Sequence, residues 1–231
     1  MVRSKMICVY CGVQFVGKFS LHKLFFQSKE TVCSQCLTKF KKIAGPVCET
    51  CCGYINDNQK YCQNCIEYRK LNPNKPLVIN KSIFHYNDEI KEWLNYFKFC
   101  GDVQLASLFA EHLREYYENS FENYKIVPVP LSDERLKERG FNQVEVLAQH
   151  AGLKFTNCLK RLHTEKQSKL NRFERLSREQ VFSFCGQEKI DNESIVLLDD
   201  IYTTGKTVRD AAAILFQNGA AKVNSLTLIR A

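Results

Sequence analysis

From residue 77 onward the hydrophobic positions switch between helical spacing and short unbroken runs. Ile90, Trp93, Leu94 and Phe97 recur at i, i+3, i+4 and i+7, and Leu105, Leu108, Phe109, Leu113 and Tyr116 continue the pattern after Gly101-Asp102. Such spacing puts one apolar stripe on each of two helices. Short apolar runs follow at Lys125-Ile126-Val127-Pro128-Val129 and at Ile195-Val196-Leu197-Leu198, and their brevity predicts buried strands; Val223 to Ile229 gives another strand. Asn142 to Ala151 reads as a helix stopped by Gly152, and Thr207 to Asn218 as one with Gly219 just past its end. Strand, helix and strand in succession predict an α/β fold whose sheet is mostly parallel, with helices on both faces. Its ligand site is expected off the carboxyl ends of the strands.

The first third of the chain is built differently. Nine of the twelve cysteines lie between Cys8 and Cys65. Residues 1–76 hold 12 Lys and Arg against 4 Asp and Glu, whereas residues 77–231 hold 21 against 21, so the formal net charge of +8 belongs to the N-terminal part. Asn72-Pro73-Asn74-Lys75-Pro76 disfavours regular helix and predicts an extended connection. The chain is therefore divided into a cysteine-rich module, 1–72, and an α/β domain, 77–231. A hydrophobic share of 45% with 10 Gly and 5 Pro among 231 residues excludes a disordered or fibrous chain.

No stretch approaches the ~18 apolar residues of a membrane span, and MVRSKMICVYCG lacks the apolar segment of a secretory signal. A cytoplasmic protein without membrane insertion is expected. In a reducing compartment, clustered cysteines point to metal or packing rather than to disulfides. Their spacing favours metal. Cys8/Cys11, Cys33/Cys36, Cys48/Cys51 and Cys62/Cys65 form four Cys-x2-Cys knuckles, enough for two tetrahedral Zn²⁺ sites at about 2.3 Å per thiolate. With every ligand supplied by cysteine, both sites read as structural. Consecutive pairing of the knuckles and interleaved pairing are both compatible with the spacing, and Cys52 is either a substitute ligand or a bystander. Two filled sites contribute −4 relative to neutral thiols, which lowers the formal +8 to about +4 and weakens any argument from gross charge.

The densest chemistry lies in Ile195 to Thr207, IVLLDDIYTTGKT: an apolar strand, two acids at its end, a hydroxyl and glycine loop, then a helix. Thr203, Thr204, Gly205, Lys206 and Thr207 can turn backbone N–H groups and hydroxyls toward one phosphate at a helix start. Asp199 and Asp200 are placed to hydrogen-bond sugar hydroxyls beside it. The implied ligand fragment is a phosphate with a ribose. The loop matches neither a G-x4-G-K-[ST] nor a G-x-G-x-x-G pattern. A second feature is local charge: residues 154–178 carry eight Lys and Arg against two Glu. Lys160, Arg161, Lys169, Arg172 and Arg175 in this stretch can close over a polyanionic small ligand or track a nucleic-acid backbone.

The strand, Asp-Asp and Thr-Thr-Gly stretch resembles the phosphoribosyl pyrophosphate (PRPP) motif of type I phosphoribosyltransferases. Val127-Pro128-Val129-Pro130-Leu131, Arg135 and Arg139-Gly140-Phe141-Asn142-Gln143, with Leu147-Ala148, resemble the ComF family of competence proteins. So do the cysteine knuckles, Lys98 with Gly101-Asp102-Leu105-Ala106, the residues Gln167, Leu170, Arg172 and Arg175, and the ending Gly219-Ala220 to Leu228-Ile229-Arg230. The resemblance covers nearly the whole chain; Cys52 and Arg178 depart from the family pattern.

The resemblance implies a type I phosphoribosyltransferase-like sheet with a zinc-ribbon-like module. It implies PRPP held with Mg²⁺, a loop from Leu131 to Arg139 in the place of the pyrophosphate loop, and Arg135 and Arg139 as its donors. Asp199 and Asp200 would be the catalytic acids that steady the ribose. The implied role is in DNA uptake during natural transformation, acting on incoming single-stranded DNA, with a DNA-translocating competence ATPase as partner. A metabolic phosphoribosyltransferase of nucleotide salvage and a PRPP-sensing regulator without turnover are the alternatives that share these motifs. Turnover would be pentosyl transfer from PRPP to a nitrogen nucleophile.

Overall fold

Each of the three segments read as strands forms a strand of one parallel sheet. The computed structural model describes residues 4–17, 32–99, 101, 103–162, 181–187 and 190–231. Strands β1 (Ser4–Ile7) and β2 (Gln14–Gly17) pair antiparallel around the first knuckle. Helices α1 (Ser34–Leu37) and α2 (Gln63–Leu71) each start directly after a knuckle cysteine, Cys33 and Cys62. Next come β3 (Asn80–His85), α3 (Asp88–Phe99), a 3-10 turn (Val103–Ala106), α4 (Ser107–Phe121) and β4 (Lys125–Pro128). Helices α5 (Asp133–Arg139) and α6 (Gln143–His150) follow, then the antiparallel pair β5 (Leu159–Arg161) and β6 (Phe182–Phe184). Strand β7 (Ser194–Tyr202), helix α7 (Lys206–Gln217) and strand β8 (Lys222–Arg230) complete the chain.

The sheet has the order β3-β8-β7-β4 with every pair parallel. It is buried on both faces. Along β7, Ile195 and Leu197 join the core under α7, while Val196 and Leu198 join the core formed with α3, α4 and α6. This accounts for continuous rather than alternating hydrophobicity in these strands. Trp93 anchors the second core, its indole N–H donating to Leu105 O at 3.1 Å and its ring meeting Phe109 edge-on at 4.7 Å.

The cysteine-rich segment docks on the sheet. Ile43 N–H donates to Ile83 O and His85 N–H to Lys41 O, so residues 41–43 cover the outer edge of β3. An aromatic series Tyr10, Phe40, Phe109, with centroids 5.4 and 5.0 Å apart, ties the first knuckle region to the helical core.

Strand β3 shows no unbroken apolar run, because two of its buried residues, Asn80 and Ser82, are polar and only Ile83 and Phe84 add to the apolar core. Asn80 and Ser82 are buried and paired across to β8: Ser225 Oγ donates to Asn80 Oδ1 at 2.9 Å, Asn80 Nδ2 donates to Ser82 Oγ at 2.8 Å, and Ser82 Oγ lies 2.7 Å from Thr227 Oγ1. Asn80→Ala removes the acceptor of Ser225 and one of the two partners of Ser82 and is expected to cost about 2–3 kcal/mol. Urea unfolding checks it: the midpoint falls while the slope stays constant. Among the described residues no helix is long and apolar enough to cross a membrane.

Candidate functional site

The eight knuckle cysteines gather into two groups, Cys8/Cys11/Cys33/Cys36 and Cys48/Cys51/Cys62/Cys65, with the sulfurs of each within 4.8 Å of one another. The knuckles therefore pair consecutively. Cys11 Sγ and Cys33 Sγ are 3.8 Å apart, and Cys51 Sγ and Cys62 Sγ 3.6 Å. Tetrahedral zinc at about 2.3 Å per thiolate sets its sulfurs about 3.8 Å apart, so both groups fit that ion. Each group also contains a thiol prepared for ionisation. Burial pushes Cys8 up, but backbone N–H groups of Cys33, Cys11 and Tyr10 outweigh it and bring Cys8 down to about 6. Cys48 follows the same logic, burial being outweighed by the N–H groups of Cys62, Thr50 and Cys51, and comes to about 7. Cys52 stands outside both groups, buried, at a positive φ of 57°. It is a bystander produced by the knuckle's turn.

The groups belong to different cores. Cys8, Cys33 and Cys36 pack with α3 and α4, whereas Cys48, Cys51 and Cys65 pack with the α7 face.

The loop between β7 and α7 sits where the sheet's carboxyl ends open. Gly205 is the N-cap of α7 at φ 76°, in the left-handed region. A Cβ on it would overlap the hydroxyl and ring of Tyr202 and lie 2.7 Å from Arg209 Nη1. Only glycine fits here. Thr203 and Thr204 are exposed beside it, Lys206 N–H donates to Thr204 Oγ1 at 3.4 Å, and Arg209 Nη2 donates to Thr204 O at 2.9 Å. Lys206 Nζ pairs with Asp210 at 2.7 Å, and Thr207 is partly buried in the first turn of α7.

Of the two acids, Asp200 is 4% exposed and is held by an ion pair with Lys98 from α3 and by Gln143 Nε2 from α6 at 3.3 Å. Asp199 accepts from Asp200 N–H at 2.9 Å, and burial, then the Asp200 charge, push its carboxyl to about 8. Asp199 therefore holds its proton to a higher pH than an ordinary carboxyl. A folded-state value above the unfolded ~3.9 means the native state binds more protons, so stability falls as pH rises from ~4 toward 8. Asp199→Asn should flatten that decline and raise stability at pH 8, which thermal melts across this range will test.

The basic candidates divide. Arg161 on β5 is partly buried, its guanidinium 5.5 Å from the Phe182 ring centroid; burial, then the Arg135 charge, lower its pKa while Asp199 and Asp210 pull it back up. Arg161 thus belongs to the rim of the acid pair. Lys160 is exposed. Lys169, Arg172 and Arg175 lie outside the described residues. The stretch Leu131 to Arg139 expected as a loop is helical from Asp133, because Ser132 caps Arg135 N–H, Asp133 and Glu134 favour the first turn and Gly140 closes it at φ 78°. Arg135 is exposed on that helix, and Arg139 lies 5.4 Å over Phe99, its buried Nε without a hydrogen-bond partner among the described residues. Gln143 Oε1 is likewise buried without a partner among the described residues.

Lys98, Gln143, Tyr202, Arg209 and Arg230 were not assigned to the site from the residues alone. Lys98 and Gln143 carried a signal only as parts of the family pattern. Tyr202 and Arg209 flank the motif without matching it.

No family model matches the chain. It is 38% identical over 231 residues to Competence protein ComFC of Bacillus subtilis, covering 98% of this chain and 95% of that protein. It is 34% identical over 227 residues to Competence protein ComFC of Streptococcus pneumoniae, covering 97% and 100%. Competence protein F of Haemophilus influenzae is 25% identical over 218 residues, covering 88% and 92%. Among solved structures, the adenine phosphoribosyltransferase of Leishmania tarentolae aligns with a TM-score of 0.39 and 15% identity, covering 64% of this chain and 91% of that one.

Proposed function

We propose, from the premise that this chain belongs to the ComFC family of competence proteins, that it serves natural transformation in the cytosol, acting on incoming single-stranded DNA and binding PRPP at its sheet-end loop. The observation that carries the PRPP reading is Gly205, held at positive φ against Tyr202 at the start of α7, one loop beyond Asp199 and the buried Asp200. The loop offers hydroxyls, backbone N–H groups and the helix start to a 5′-phosphate. A ribose diol both donates and accepts. Asp199, whose carboxyl is pushed up to about 8, can donate as well as accept, which matches a diol. Lys98 pairs with Asp200, and Mg²⁺ brought with PRPP would supply further charge neutralisation for the pyrophosphate. Arg135 and Arg161 supply the cationic rim for that group, and Arg139 is within the same segment.

The basic stretch 154–178 supports the DNA part of the reading, through backbone charge rather than base contacts. The cysteine-rich segment is a candidate surface both for the DNA-translocating ATPase and for DNA. Calorimetry of Mg²⁺–PRPP on zinc-loaded protein, alone and with single-stranded DNA, tests the first claim; no heat of binding sinks it. Gel shifts at rising salt test the second. Binding should weaken steeply with salt, and no binding at low salt removes DNA from the function.

A further inference from the structure

We infer that the second cysteine cluster holds the phosphate loop in its binding shape, so that zinc at Cys48/Cys51/Cys62/Cys65 and PRPP at the loop favour each other's binding; the inference rests on the PRPP reading above. Two struts connect them, one from each knuckle. The first runs through Arg230, the last residue of β8 and the register partner of Tyr202 on β7. Its guanidinium lies over the Tyr202 ring at 5.3 Å, Nη1 donates to Tyr202 O at 3.2 Å, and Nη2 reaches Cys51 Sγ at 3.9 Å. Tyr202 is the wall against which Gly205 is pressed. Gly53, two residues past Cys51, lets the knuckle come this near, since a Cβ there would sit 3.1 Å from Arg230 Nη2.

The second strut starts on α2, the helix that opens at Cys62 and carries Cys65. Tyr68 on that helix lies under the Arg209 guanidinium at 4.0 Å, and Arg209 donates to Thr204 O at 2.9 Å. The loop is thus gripped at Tyr202 and at Thr204. Zinc strengthens the first grip, because a metal-bound cysteine is a thiolate and accepts the Arg230 N–H as a charge-assisted bond. It orders the second by fixing both ends of the knuckle pair. The first cluster belongs to the core on the other side of the sheet and is the internal control.

Coupling between two sites is reciprocal. Titrating the zinc-loaded protein with a chromophoric zinc chelator, with and without Mg²⁺–PRPP, should show one of the two zinc ions held about tenfold more tightly with PRPP, the other unchanged. Arg230→Met and Tyr68→Leu, each checked to retain two zinc ions, should weaken PRPP binding about tenfold and shrink the effect on zinc. Tyr68→Phe keeps the ring and should restore wild-type affinity. If the wild type binds PRPP but neither variant shifts its Kd and PRPP leaves both zinc ions unchanged, the coupling is overturned while the PRPP site stands. If zinc-loaded wild-type protein binds no PRPP, the PRPP reading falls and the coupling falls with it.

Discussion

In calorimetry, Gly205→Ala is expected to cut PRPP affinity by about 100-fold or more, with a smaller loss of folding stability. Alanine in the left-handed region costs about 1–2 kcal/mol, and overpacking against Tyr202 and Arg209 adds about 1–3 kcal/mol. The backbone at residue 205 has φ 76°, and the two obstacles are a tyrosine that is 4% exposed and an arginine already bonded to Thr204. Neither can step aside. The exposed residues Thr203 and Thr204 have the least packing around them, so the loop shifts there, and the strain is relieved at the expense of the proposed phosphate cradle. A loss of about 2.7 kcal/mol in binding is a factor of about 100. Thr204→Ala, which removes one hydroxyl and leaves the backbone shape, should cost about tenfold or less. A Gly205→Ala protein that binds PRPP like the wild type would show that the loop is not the phosphate site.

The contrast between strand β3 and the other sheet strands shows which features were readable in advance. Strands β4 and β7 are doubly buried with unbroken apolar runs, and β8 keeps Val223, Leu226, Leu228 and Ile229 among its buried residues, so all three stand out. Strand β3 is equally buried, but Asn80 and Ser82 satisfy one another and the hydroxyls of Ser225 and Thr227, a pairing visible only across the sheet. The two four-cysteine sites were legible as a count. Their consecutive pairing was not, because four identical spacings carry no label of partner. Helix α5 was hidden inside a stretch expected as a loop, although Ser132, Asp133 and Glu134 are ordinary start signals. At the site, Asp199, Asp200 and Gly205 announced themselves by order along one strand and turn. Lys98 and Gln143 reach Asp200 from 102 and 57 residues away, and nothing local in either helix marks them as its partners.

Stripping zinc is expected to produce the largest loss of stability, because the metal sites stand inside both cores rather than at the protein's margin. Cys8, Cys36, Cys48 and Cys51 are each no more than 3% exposed, and their neighbours include Phe40, which stacks edge-on against Phe109 in the centre of the helical core. Metal-free, each group is four thiols in a space shaped for an ion. Structural zinc contributes about 10–16 kcal/mol to the folding of small zinc peptides. A fraction of that, about 3–5 kcal/mol per site, lowers the melting temperature of a chain this size by about 10 °C or more. Calorimetric melts with and without chelator, at constant protein concentration, provide the measurement. Cys36→Ser and Cys48→Ser separate the sites: each should release one zinc ion and lower the melting temperature. Cys36→Ser loosens the face built on α3 and α4, and Cys48→Ser loosens the face under α7. A chelated protein that melts with the same midpoint as the loaded one would mean that packing alone holds the knuckles, and the two four-thiol groups would lose their standing as structural metal sites.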